Sequence, residues 1–134
     1  MARAYISSFT EQDYKDKVTN LQNGTLRLNW SIREWEEARR SDIFYMLRTG
    51  GNKAGIVFNG QFTSDPYPLE DWAGADKRRM YVDLICTNPV APNKKPRVSM
   101  QKLQELVPDF DWAKGHSGAL LSDEVADKLE KRFC

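Results

Sequence analysis

Two β-prone runs, Ile43-Phe44-Tyr45-Met46-Leu47 and Ala54-Gly55-Ile56-Val57-Phe58, stand on either side of Gly50-Gly51-Asn52. Runs rich in β-branched and aromatic residues, joined by a glycine-rich turn, form a hairpin. A third run, Leu26-Arg27-Leu28-Asn29-Trp30, alternates at period two, as a strand with one buried face does. Met80 to Thr87 is again β-prone, and Ala119-Leu120-Leu121 makes a short fifth run. Gly60 falls inside the pattern before Gln61-Phe62-Thr63-Ser64, and a lone glycine in a strand predicts a bulge or bend. Barrel strands curl at such points.

Helix signals lie around these runs. Thr10 caps a helix over about 10–23, with Phe9 and Tyr14 as a hydrophobic staple and Gly24 as the stop. Ser31 with Glu34 reads as a capping box, predicting a short helix with Ile32 and Trp35 on its apolar side. Ser99 caps a helix carrying Met100, Leu103, Leu106 and Val107, which Pro108 ends. Ser122 caps the last helix, with Asp123 and Glu124 in its first turn and Val125, Leu129 and Phe133 along one side. The stretches 65–79 and 88–97 hold the prolines and read as loops. The order lacks the strand–helix alternation of a doubly wound sheet. The expected fold class is α+β, a small curved β-barrel of about five strands flanked by short helices.

Composition narrows the function classes. The length of 134 residues predicts a single domain over 1–134, and 40% hydrophobic residues suffice for one core, which excludes disorder as the main state. Apolar runs of about four residues are far short of the ~20 that a membrane helix needs. Met1 to Phe9 lacks the apolar run of a signal peptide. Two lone cysteines, Cys86 and Cys134, are no disulfide framework, so a cytoplasmic location is expected. With one histidine, His116, they also cannot build a four-ligand zinc site, and no metal or cofactor is expected. The net charge of +1 argues against a protein that coats nucleic acid by charge alone. A local basic face balanced elsewhere gives the same total.

Three landmarks resemble a known family. The first is Asn29-Trp30-Ser31-Ile32, then 41–48, then Ala54-Gly55-Ile56-Val57-Phe58 through Ser64. The second is Met80-Tyr81-Val82-Asp83-Leu84, and the third is Trp112 followed by His116-Ser117-Gly118-Ala119-Leu120. In this order, from roughly Leu26 to Phe133, they resemble the EVE branch of the PUA-like superfamily, akin to the YTH and SRA readers. Relatives often carry Gly-Asp before the second strand. Here it is Ser41-Asp42, a mild departure that leaves the turn intact. The resemblance implies a compact barrel with a concave pocket for a base flipped from the stack, often a modified one such as methylated cytosine. It also implies a restriction or defence context with a separate nuclease partner.

A base pocket needs flat apolar walls and a few polar groups for the base edge. Trp30, at a strand end, and Ser31 beside it are candidates, although Trp30 alternates with Leu26 and Leu28 as a core residue would. Trp72 in its loop, with Tyr67 between two prolines, walls a pocket or covers the barrel. Trp112 precedes Ser117 and Gly118, where small residues let a ligand approach the backbone or simply turn the chain. Ser64 and Asp65 close the list, Asp65 as an acceptor from an exocyclic amine or as a turn cap. Three basic clusters are candidates for phosphate contact, or else solvated surface: Arg39 and Arg40 with Arg48; Lys77, Arg78 and Arg79; Lys94, Lys95 and Arg97.

The reading is a non-enzymatic module that binds DNA or RNA, with no membrane partner. His116 and Ser117 are chain neighbours and form no triad, which argues against catalysis. The alternative is a small-molecule or protein-interaction module using the same pocket.

Overall fold

The computed structural model describes residues 3–18, 25–50, 53–70, 78–86, 89–91, 94–112 and 116–133. The elements are β1 (Ala4–Thr10), α1 (Glu11–Val18), β2 (Leu26–Ser31), β3 (Ile43–Thr49), β4 (Gly55–Phe62), β5 (Tyr67–Glu70), β6 (Arg78–Cys86), β7 (Val98–Ser99), α2 (Met100–Leu106), β8 (Ser117–Leu120) and α3 (Asp123–Phe133). The strands form one curled mixed sheet in the order β2-β6-β4-β3-β1-β8, with β5 added to β6 and β7 to β4. β1 and β3 run parallel, Ala4 opposite Ile43 through Thr10 opposite Thr49; every other pairing is antiparallel. This is the expected α+β curved barrel, with more strands than the five read from sequence.

Two apolar layers follow from the alternation of the strands. The inner face carries Tyr5, Phe9, Phe44, Met46, Phe58, Phe62, Val82 and Leu84. The outer face of β1, β3 and β4 carries Ala4, Ile6, Tyr45, Leu47 and Ile56, which pack under Leu103 of α2 and Val125 and Leu129 of α3. Because β1 is buried on both sides and interrupted by Ser7 and Ser8, it shows no period-two contrast in sequence, which is why it escaped the reading. Ser7 is fully buried because its Oγ accepts from Gly118 N at 2.6 Å.

Three expectations change. Ser31 stays in β2 opposite Tyr81, and Ile32 N donates to Met80 O, so no helix starts there. Glu34, the partner in the presumed capping box, instead accepts from Leu120 N, a tertiary contact that overrides local propensity. The second change is at Gly60, where β4 runs on unbroken. The register shift lies between Met46 and Leu47 of β3, with Val57 as the extra residue of β4. At Gly60 a Cβ would sit 2.9 Å from Ile85 O, so glycine serves a close approach of β4 to β6. Third, the 65–79 loop contains β5, which pairs with the start of β6.

Thr10 Oγ1 accepts from Asp13 N at 3.2 Å, and the Phe9 and Tyr14 rings lie 5.3 Å apart, the cap and staple expected of α1. Residues 19–24 of that expected helix and its stop lie outside the described residues. No described helix is long and apolar enough to cross a membrane.

Candidate functional site

The two ends of the sheet approach each other where β2 runs out and β8 passes by. A Cβ at Gly118 would lie 2.4 Å from Ile32 Cα and 2.9 Å from Arg33 N, and Gly118 has φ +69°. Only glycine fits so close a crossing in that conformation. Glu34 N donates to Gly118 O at 3.2 Å, and the Glu34 carboxylate accepts from Leu120 N at 3.3 Å. Ser8 N donates to His116 O and His116 N to Ser8 Oγ, which fixes the chain entering β8.

Along this seam the inner layer is incompletely covered. Trp30 is half-buried on the inner side of β2, its ring 5.7 Å from Phe9, and Met80 and Leu120 are partly exposed on the same cluster. Of the nine candidate pocket residues, Trp30, Ser117 and Gly118 are therefore brought to one region, and Ser31, next to Trp30 in the strand, turns its side chain to the outer face with Asn29. Ser117 is placed by its backbone, opposite Ser7.

Ser64 and Tyr67 gather elsewhere, on the outer face of the β5–β6–β2 ribbon. Tyr67 OH donates to Asp83 Oδ1 at 2.5 Å, and Ser64 Oγ accepts from Asp83 N at 2.9 Å. Burial, followed by the hydrogen bond to Asp83 and the charge of that carboxylate, pushes the Tyr67 phenol up. Beside them is a shallow cavity of about 350 Å³ lined by Arg27, Leu28, Asn29, Thr63, Asp83 and Leu84. Asp65 is engaged in a tertiary contact: its Oδ1 accepts from Arg40 N at 2.8 Å, on the 32–42 loop.

Two candidates are withdrawn. Trp112 is 1% exposed, packed 4.4 Å from Phe110 with its Nε1 donating to Val107 O, on the helix-covered side of the sheet. Its ring offers no face to a ligand. Arg48 is fully buried, donating to Lys53 O and Lys94 O with its guanidinium 5.3 Å from the Tyr14 ring. It ties loops together and is closed to a phosphate. Burial lowers its pKa. Trp72 and Lys77 lie outside the described residues.

The remaining cations fall in two places. Arg39 and Arg40 are exposed on the 32–42 loop. Arg78 and Arg79 open β6 just before Met80, whose carbonyl receives the N–H of Ile32 where that loop begins. Lys94, Lys95 and Arg97 lie beyond the opposite end of β3, next to Arg48 and Ile56. β3 has seven residues, so about 20 Å separates its ends. Arg78 and Arg79 thus lie near the start of the 32–42 loop in β6, Arg39 and Arg40 lie towards its other end, and the third cluster lies apart.

Sequence reasoning missed Trp35. Read as the apolar side of a helix, it is 40% exposed, the one large hydrophobic residue left so among the described residues. Its visible signal was a tryptophan flanked by charge, Arg33-Glu34-Trp35-Glu36-Glu37.

The same architecture occurs in solved structures. Rpa0253 from Rhodopseudomonas palustris is 15% identical, with a TM-score of 0.64 over 98% of this chain and 92% of that one. Human THYN1, in complex with DNA containing 5-methylcytosine, is 11% identical, with a TM-score of 0.61 over 97% and 96%. The fold is PUA-like. ZmASCH from Zymomonas mobilis, in a mutant form, shares this PUA-like fold at 11% identity, with a TM-score of 0.55 and 96% of both chains covered. At such identities the likeness is one of fold, and it agrees with the EVE-type barrel expected from the three landmarks. No family model matches the chain, and no curated protein does.

Proposed function

We propose that this chain is a non-enzymatic nucleic-acid-binding module that accommodates a flipped base, modified as in methylated cytosine, against Trp30. The observation that carries the reading is the half-buried Trp30 at the edge of the inner layer of a PUA-like barrel. That barrel is similar over nearly its whole length to a human protein found on 5-methylcytosine DNA. Stacking on an aromatic ring is worth about 1–3 kcal/mol per base. Trp30, Met80 and Leu120 supply apolar walls. The backbones of Ser31, Ser117 and Gly118 supply polar groups for a base edge. Trp72 is the loop residue we assign to the same pocket. Arg39, Arg40, Lys77, Arg78 and Arg79 contact phosphates, and Lys94, Lys95 and Arg97 have a lesser share. The partner is DNA or RNA, the setting a restriction or defence system in the cytoplasm, with the nuclease on a separate chain.

A second reading, a binder of a small polar molecule, is favoured by the cavity beside Tyr67 and Ser64, whose lining includes the cation Arg27 and the carboxylate Asp83.

A titration followed by tryptophan fluorescence separates them. The ligands are short single- and double-stranded DNA and RNA, with and without modified cytosine or adenine, at two salt concentrations. Tighter binding of one modified form, weakened about tenfold by Trp30→Ala in a protein that still melts cooperatively, is the expected result. Binding that ignores modification and vanishes with salt overturns it.

A further inference from the structure

We infer that Trp35 is a second stacking surface for nucleic acid, taking a base next to the one held at Trp30. This rests on the nucleic-acid reading above and adds a residue to it.

A large apolar ring in water is disfavoured, and the fold could have turned it inward. Instead the 32–42 loop is built so that Trp35 faces out. Ile32 is buried and hydrogen-bonded to Met80 at one end. Glu34 is fastened to β8 through Gly118 O and Leu120 N. Ala38 is fully buried, and its N–H closes a turn onto Trp35 O at 3.0 Å. At the far end the buried Asp42 carboxylate accepts from Arg39 N at 2.9 Å and Arg3 N at 3.0 Å, while Asp65 holds Arg40 N. Every second or third residue is anchored, so the ring is displayed from a fixed turn with little ordering cost left for binding.

The surroundings select the ligand class. Two of the three acidic neighbours are engaged within the protein, Glu34 with Leu120 N and Glu37 with Arg3 at 3.3 Å, and Glu36, next to Trp35 in the chain, is exposed. The cations of the loop, Arg33, Arg39 and Arg40, are exposed, with Arg39 Nη1 also donating to Ala38 O at 2.7 Å. An aromatic face beside exposed guanidinium groups is what single-stranded or unstacked nucleic acid binds, the ring taking a base and the cations its backbone. Along the chain, Trp30 and Trp35 lie on either side of the Ile32–Gly118 crossing. One faces the inner layer and the other faces solvent. A flipped nucleotide at the first leaves its neighbour unstacked and in need of a partner at the second.

The test compares wild type, Trp35→Ala, Trp35→Leu and Trp35→Phe on short DNA and RNA carrying one 5-methylcytosine, with a thermal melt of each protein. The expected result is about tenfold weaker binding for Trp35→Ala and Trp35→Leu, binding within about threefold of wild type for Trp35→Phe, and unchanged melting throughout. Wild-type binding that Trp35→Ala leaves intact overturns the inference alone. Full affinity in Trp35→Leu overturns stacking, since leucine keeps the apolar contact and loses the ring. A lowered melting temperature in Trp35→Ala assigns the residue to structure and overturns it as well. If wild type binds none of these ligands, the underlying reading fails and takes this inference with it.

Discussion

The outer faces of β1, β3 and β4 lie under α2 and α3, whereas those of β2, β6 and β5 face solvent. On the first half, Ile6, Tyr45, Leu47 and Ile56 are buried against Leu103, Val107 and Leu129. On the second, Arg27, Asn29 and Asp83 are exposed, with Tyr67 reaching across to Asp83. The covered half is buried on both faces and gains from each. The bare half has one buried face and is held by strand pairing and by its closure onto β8. A sheet half that need not be covered on its outer side can carry polar recognition groups there and an open apolar edge at Trp30.

The comparison breaks most completely at the closure. Gly118→Ala puts a Cβ against the Ile32 backbone at φ +69°, so a loss of about 3 kcal/mol or more is expected in denaturant unfolding. A wild-type midpoint would mean that the bare half holds itself in place. The covered half should be the more sensitive to truncation. Leu103→Ala is expected to cost about 3 kcal/mol, against under about 1 kcal/mol for Tyr67→Phe, which loses one exposed hydrogen bond. Equal losses would erase the distinction.

The inner layer that both halves share contributes a pH effect. Tyr5 is fully buried, with no hydrogen-bond partner for its hydroxyl among the described residues. Burial, and then the charge of Asp42, raises its pKa from 10.0 to about 12. The folded chain therefore holds this proton longer than the unfolded one. The stability so contributed is complete below pH 10 and is lost as pH rises from 10 towards 12. Tyr5→Phe should flatten that part of the alkaline stability profile while leaving stability at pH 7 equal or higher, since it removes an unpaired buried hydroxyl. An alkaline limb as steep as that of wild type counts against it. A change of opposite sign concerns Ser41, near the end of the 32–42 loop, with φ +79°. Glycine takes that conformation without strain, and Ser41→Gly should stabilise by roughly 1 kcal/mol, read as a raised denaturant midpoint.

Much of this was legible in the residues. β2, β3, β4 and β6 announced themselves by alternation or β-branched runs. The caps of α2 and α3 are made as read, Ser99 Oγ accepting from Lys102 N at 3.2 Å and Ser122 Oγ from Val125 N at 3.3 Å. The Ser41-Asp42 departure marks a position where glycine is the residue the backbone asks for. What stayed hidden depends on contacts distant in sequence. β1 lacks alternation because both of its faces are covered. The Ser31 capping box dissolves because Leu120 takes its glutamate. Arg48, a cation in a run of apolar residues, is buried by loops that begin at Lys53 and end near Lys94. Its site role failed for that reason, and Trp112 failed because its ring belongs to the helical side.

The hydrogen bond from Gly118 N to Ser7 spans 111 positions, and that from His116 N to Ser8 spans 108. β1 leaves the ribosome well before β8, and one of its edges has no partner until β8 emerges. Until then the nascent chain presents an open, largely apolar strand edge, a template for pairing with other chains. Contacts of such long sequence separation also make for slow folding. Yield in the cell should accordingly depend on how long that edge is shielded, and any chain interrupted before β8 is expected to aggregate however sound the rest of its barrel.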